Sequence, residues 1–132
     1  MARILVASLP FAGHVGVLGP IAAELSGRGH DVVAYTGAKY RDRFLAAGAD
    51  WLPFTHATDF DDANLADVFP RIGNGKGFRA DRANLEDVLF GTAAGQVADL
   101  LAAAQRRPFD VLVTDQTAFG AAVAGVFTTS DG

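Results

Sequence analysis

A chain of 132 residues, half of them hydrophobic, has material for one modest core and excludes a multidomain assembly. Its net charge of -4 leaves no basic footprint for nucleic acid or an anionic membrane surface, and no apolar run approaches the ~18 residues of a membrane span. No cysteine is present, so disulfides and thiolate metal sites are out, and the expected setting is the cytoplasm with small molecules as partners.

Residues Ile4 to Leu9 are a nearly unbroken apolar run, the mark of a strand buried on both faces of a parallel sheet. Pro10 ends it. Phe11 to Gly16 read as a tight loop holding His14 between glycines, after which Leu18, Ile21, Ala22 and Leu25 recur at helical spacing as far as Gly27-Arg28-Gly29. Asp31 to Thr36 form a second strand, and Lys39 to Ala47 a short helix with Tyr40, Phe44 and Leu45 inward. Ala49 to Phe54 make a third strand, whose Pro53 points to a sheet-edge position or to the strand's last residue. With right-handed crossovers this β-α-β-α-β order gives parallel strands. From Thr55 to Asp81 the periodicity fails, and the stretch is expected to be irregular, folded over the carboxyl edge or mobile, with at most a turn or two of helix in 63–69. A long amphipathic helix follows from about Arg82 to Gln105, which Gly91 and Gly95 weaken without breaking. Phe109 to Thr114 are a fourth strand, and Asp115-Gln116-Thr117 opens a last helix through Ala124. The fold class is therefore α/β: a doubly wound, Rossmann-like parallel sheet in three αβα layers with strand order 3-2-1-4.

Several strings resemble motifs and fail on spacing. Gly73 to Gly77 lacks the pattern of a phosphate loop, and Asp59, Asp61, Asp62 and Asn64 lack the glycine and glutamate of a calcium loop, so both read as solvated loop. His30 and His56 read as structural or merely exposed. The dinucleotide fingerprint is absent after the first strand, and no acidic residue closes the second. What the first loop offers is a histidine at the mouth of the sheet, whose ordinary pKa of ~6.5 suits proton transfer. Strands one and four should lie side by side, bringing Asp115 to the same edge, where a carboxylate orients an imidazole and stabilises its protonated form. Two plainer roles stay open at this stage: a histidine that only fixes its loop, and an aspartate that only caps the last helix.

Gly13-His14-Val15, then Arg28-Gly29-His30-Asp31-Val32 with Tyr35-Thr36-Gly37, and later Phe109 to Asp115 resemble the opening half of a GT-B glycosyltransferase. The nearest pattern is that of bacterial enzymes that glycosylate macrolides, enediynes and other natural products. The likeness extends over the chain except 55–81, with Val17 standing where the family often has proline. It implies an inverting, metal-independent transferase with no cofactor beyond its co-substrate, a nucleoside diphosphate sugar, in which His14 is the base and Asp115 its support. It further implies a hydrophobic acceptor held by Phe11, Phe60, Phe69, Phe78, Phe90, Gln116 and Phe119, with Gly13 toward the donor. On this reading residues 1–132 are a truncated acceptor-binding amino-terminal domain, without the carboxyl-terminal domain that holds most of the nucleotide. A non-catalytic binding module, or a subunit needing a separate donor-binding chain, is the alternative. An unrelated flavodoxin-like domain is a third reading.

Overall fold

A computed structural model describes residues 1–128. The elements run β1 (Arg3–Ala7), α1 (Ala12–Gly27), β2 (Asp31–Thr36), a 3-10 turn (Ala38–Tyr40), α2 (Arg41–Ala46) and β3 (Asp50–Pro53). Three short helices follow, α3 (Leu65–Val68), α4 (Pro70–Gly73) and α5 (Phe78–Ala83), then a π-helical segment (Asn84–Phe90), α6 (Ala93–Arg106), β4 (Val111–Thr114) and α7 (Phe119–Thr128). All pairings are parallel, in the order β3-β2-β1-β4, as the apolar pattern predicts.

Side-chain alternation along β1 builds both outer layers. Leu5 and Ala7 point to one face, where they meet Tyr35, Leu100, Ala103 and Ala121 under α6 and α7. Ile4 and Val6 point to the other, onto Val15, Leu18 and Ala22 of α1 and Phe44 of α2. Leu45, expected inward, is outside this core: the turn of α2 that buries Phe44 rotates its neighbour to the surface. The ends of α1 and α2 are set by Gly29 and Gly48, both at φ 89°, a backbone region that side chains disfavour. There the N–H groups of His30 and Ala49 reach back to the carbonyls of Leu25 and Phe44, closing each helix.

Two sequence expectations are corrected. His14 does not sit in a loop, because α1 begins at Ala12 and takes both Gly13 and Gly16 into its first turns. Burial of Val15 and Leu18 against the sheet outweighs the helix cost of two glycines, about 1 kcal/mol each. The long helix of residues 82–105 is broken at Gly91-Thr92, where the Thr92 hydroxyl donates to the Val88 carbonyl at 2.6 Å and α6 starts afresh. Gly95 and Gly120 mark close approaches: the chain at His56-Ala57 crosses α6 over Gly95, and α7 lies on Ala93 and Gln96 at Gly120.

The excursion from Thr55 to Phe90 folds onto the carboxyl edge of the sheet around a satellite core of Phe60, Phe69 and Val88. Its acidic end is solvent-facing, as expected, but tied down. Asp62 accepts from the N–H of Ala12 at 2.8 Å and from the hydroxyl of Tyr40 at 2.7 Å, and Lys39 bridges Asp61 and Asp62 at 2.5 and 2.6 Å. Asp59 accepts from the N–H of Ala38 at 3.0 Å. Burial raises the Asp62 carboxyl, but its bonds from Lys39, Tyr40 and Ala12 prevail and hold it at about 2.

Candidate functional site

Parallel pairing of β1 with β4 brings Ala7 opposite Thr114, so the segments leaving both strands emerge together. Asp115 is the first residue past β4, and His14 lies in the opening turn of the helix that follows β1. The Nδ1 atom of His14 stands 3.3 Å from Oδ2 of Asp115 and 3.2 Å from the hydroxyl oxygen of Thr117. Asp115 also does what a capping residue does. Its Oδ1 accepts from the N–H groups of Thr117 and Ala118 at 2.7 and 3.0 Å, and its Oδ2 accepts from the N–H of Leu9 at 3.0 Å. The two roles weighed from the sequence are therefore compatible: backbone bonds from both strand ends fix the carboxylate, and the fixed carboxylate faces the imidazole.

Thr117 is the member that the sequence reading missed. Its hydroxyl donates to Oδ1 of Asp115 at 2.5 Å, so that proton is committed. Both oxygens near Nδ1 can then only accept, which places the ring proton on Nδ1 and leaves Nε2 with its lone pair free. The signal was present as an aspartate followed two residues later by a threonine, the spacing of a local side-chain-to-backbone turn.

Two clefts open beside His14. One of about 410 Å³ is lined by Gly13, His14, Val17, Ile21, Asp115, Gln116 and Thr117 among others. The second, about 350 Å³, is lined by Phe11, Gly13, His14, Asn84, Leu89 and Thr117. Each has the size of a site for a small organic molecule. A side chain built on Gly13 would meet nothing within 4 Å, so packing does not require a glycine there.

The aromatic residues divide. Phe11 lines the second cleft, its ring centroid 5.3 Å from that of His14 and 5.3 Å from that of Phe60. Phe60 and Phe69, at 4% and 8% exposure, belong to the satellite core, where an aromatic ring contributes more by burial than it could by waiting for a ligand. They back the cleft wall and do not line it. Phe90 and Phe119 stack on each other at 4.7 Å and line neither cleft. Phe78 is 79% exposed at the start of α5 and joins neither cleft. Gln116 is exposed at the rim of the first. Of the two other histidines, His30 accepts the N–H of Ala2 on Nδ1 at 3.0 Å, and His56 pairs with Asp99 at 2.8 Å; both hold structure together.

A doubly wound parallel sheet with a histidine, an aspartate and two clefts of small-molecule size at its carboxyl edge defines a Rossmann-like domain. No protein-family model matches the chain. It is 41% identical over 120 residues to 4'-demethylrebeccamycin synthase of Lentzea aerocolonigenes, an alignment that takes in 91% of this chain and 28% of that protein. The solved structure of the kitacinnamycin glycotransferase superposes with a TM-score of 0.69 at 25% identity, over 96% of this chain and 28% of that one. The Streptomyces sp. SF2575 glycosyltransferase SsfS6, solved with thymidine diphosphate, shares the fold at a TM-score of 0.67 and 21% identity, over 96% and 36% of the two chains. In sequence and fold the chain matches one part of natural-product glycosyltransferases of the GT-B type, and it spans little more than a quarter of the curated relative's length. No helix among the described residues is long and apolar enough to cross a membrane.

Proposed function

We propose that this chain is the acceptor-binding half of an inverting glycosyltransferase, with His14 as the base and Asp115 and Thr117 holding it. The observation that carries the reading is the locked ring: Nδ1 is engaged by two acceptors, which leaves Nε2 without a committed proton, and His14 lines two clefts. An acceptor hydroxyl seated there gives its proton to Nε2 as its oxygen attacks the anomeric carbon of the donor sugar. The bond from that carbon to the nucleoside diphosphate breaks, and the diphosphate leaves with the electron pair. Asp115 stabilises the imidazolium so formed. The step needs no further cofactor, because the leaving group is already activated. Thymidine diphosphate in the structure of SsfS6 supports a nucleoside diphosphate as the donor's carrier. The acceptor is a small hydrophobic molecule bearing a hydroxyl, and the reaction belongs to the cytoplasm.

Donor and acceptor must be held together for transfer, an advantage of up to ~7–11 kcal/mol that one half of the machinery does not supply. Residues 1–132 alone are thus expected to bind an aromatic acceptor weakly and to transfer no sugar. The test is product formation from a nucleoside diphosphate glucose and a polyphenol, with this chain alone and with a polypeptide extended by a donor-binding domain. Steady turnover by the short chain overturns the half-enzyme reading. Full activity of the extended His14→Ala protein removes the base assignment.

A further inference from the structure

The glycine-rich string Gly73 to Gly77, which lacks the spacing of a phosphate loop, serves as a turn. Gly77 takes φ 57° and ψ -133°, a conformation that side chains disfavour, and sets α5 back against the end of α4. At Gly75 the approach is close: an added Cβ would stand 3.1 Å from the backbone N of Ala80 and 3.3 Å from the carbonyl oxygen of Arg71. This fold-back brings Arg71 of α4 to Arg79 and Arg82, which share one face of α5 with Ala83 at spacings of three and four. Together with Asn74 and Gly75, they line a cleft of about 320 Å³. No carboxylate is among the residues that line it. Instead, Glu86 accepts from Nη2 of Arg71 at 2.7 Å and from Nε of Arg82 at 2.6 Å, and Asp87 accepts from Nη1 of Arg71 at 2.8 Å. One carboxylate thus braces two guanidiniums that would otherwise repel each other. The guanidinium of Arg79 has no partner among the described residues. The side chains of Arg71 and Arg82 are 55% and 65% exposed, so a solute in the cleft reaches them without any movement of the fold.

We infer that this cleft binds the phosphate group of a small molecule. A guanidinium presents paired N–H donors that match two phosphate oxygens, and several of them around one group suit a multiply charged phosphate better than a single carboxylate. The cleft is at the small end of ligand sites, with room for a phosphate or diphosphate and a modest remainder. Charge agrees. Residues 71–87 carry Arg71, Lys76, Arg79 and Arg82 against Asp81, Glu86 and Asp87, four cations to three carboxylates, in a chain whose net charge is -4. Ala83 lines this cleft and its neighbour Asn84 lines the one at His14, so a single stretch of chain contributes to both. The inference goes beyond the proposed function and does not depend on it.

Calorimetric titration of the chain at low salt with pyrophosphate, inorganic phosphate, phenyl phosphate and malonate tests it. Pyrophosphate should bind at one site, and Arg79→Gln, which removes a guanidinium that holds nothing in the fold, should weaken it about tenfold. Arg106→Gln, the same loss of charge on an exposed arginine at the end of α6, should change the affinity less than about twofold. Equal losses in the two variants would reduce the attraction to overall charge and overturn the site, as would failure of the parent to bind pyrophosphate. Malonate held as tightly as pyrophosphate overturns the assignment to phosphate. Phenyl phosphate bound at least as well as inorganic phosphate supports the site and makes its ligand an ester; the opposite preference supports it as a site for free phosphate. None of these outcomes bears on sugar transfer, which remains the separate readout of His14.

Discussion

Two histidine–aspartate pairs stand at the carboxyl side of this sheet, and the tighter one is not the candidate site. His56 lies 2.8 Å from Asp99, against 3.3 Å for His14 and Asp115. Asp99 is 5% exposed, and it takes the hydroxyl of Tyr35 at 2.6 Å and the N–H groups of Thr55, His56 and Ala57. Burial pushes its carboxyl up, but the Tyr35 hydroxyl and the backbone N–H groups win and hold it below the usual carboxylate range. Its histidine is mostly solvent-exposed beside a hollow of only about 80 Å³. That pair fastens the segment after β3 onto α6. What separates the two is their surroundings: His14 lines two ligand-sized clefts, whereas His56 is mostly exposed and lines only the small hollow.

The largest expected effect breaks the comparison if it fails. In a complete transferase His14→Ala should lower kcat by about 10²–10⁴ with acceptor binding retained, while His56→Ala should leave kcat within about threefold. Equal losses would mean the cleft does not discriminate. Stability should reverse the ranking. Asp99→Ala strands the Tyr35 hydroxyl and three N–H groups in the interior and should cost about 3 kcal/mol or more in urea unfolding, while Asp115→Ala, nearer the surface, should cost about 1–2 kcal/mol. Gly95→Ala reaches the same fastening from its other side. A methyl there meets the backbone of Ala57, so the segment bonded to Asp99 must shift, at a cost of about 1–3 kcal/mol by the same measurement. The smallest effect concerns acid. Because the carboxyl of Asp62 is held at about 2, below its ordinary ~3.9, its contribution to stability is complete above about pH 4 and drains away as pH falls toward 2. Amide exchange at Ala12 followed across that window should quicken in the parent and stay nearly flat in Asp62→Asn.

The strand order was legible because apolar runs, glycine stops and crossover handedness all agree. The meeting of His14 and Asp115 followed from it, since neighbouring parallel strands deliver their carboxyl ends to one place. The start of α1 was not legible: Gly13 and Gly16 signal a loop locally, and only tertiary packing of Val15 and Leu18 makes them helical. The break at Gly91-Thr92 was hidden for a similar reason, as Leu85, Val88 and Leu89 keep a helical spacing through a segment whose turn is wider than α. The acidic loop shows its charges in the sequence but not its partners. Those come from Ala12 and from Ala38 to Tyr40, residues 21 to 50 positions away.

That acidic loop makes the domain its own ligand. In doubly wound folds the first N–H groups past β1 are where phosphates settle. Here the N–H of Ala12 is already held by Asp62, and that of Ala38, just past β2, by Asp59. A tethered carboxylate competes at an effective concentration on the order of millimolar or higher, and an arriving phosphate would also have to part it from Lys39 and Tyr40. A fold whose opening turn commonly receives nucleotides thus carries a plug of the same charge in that seat.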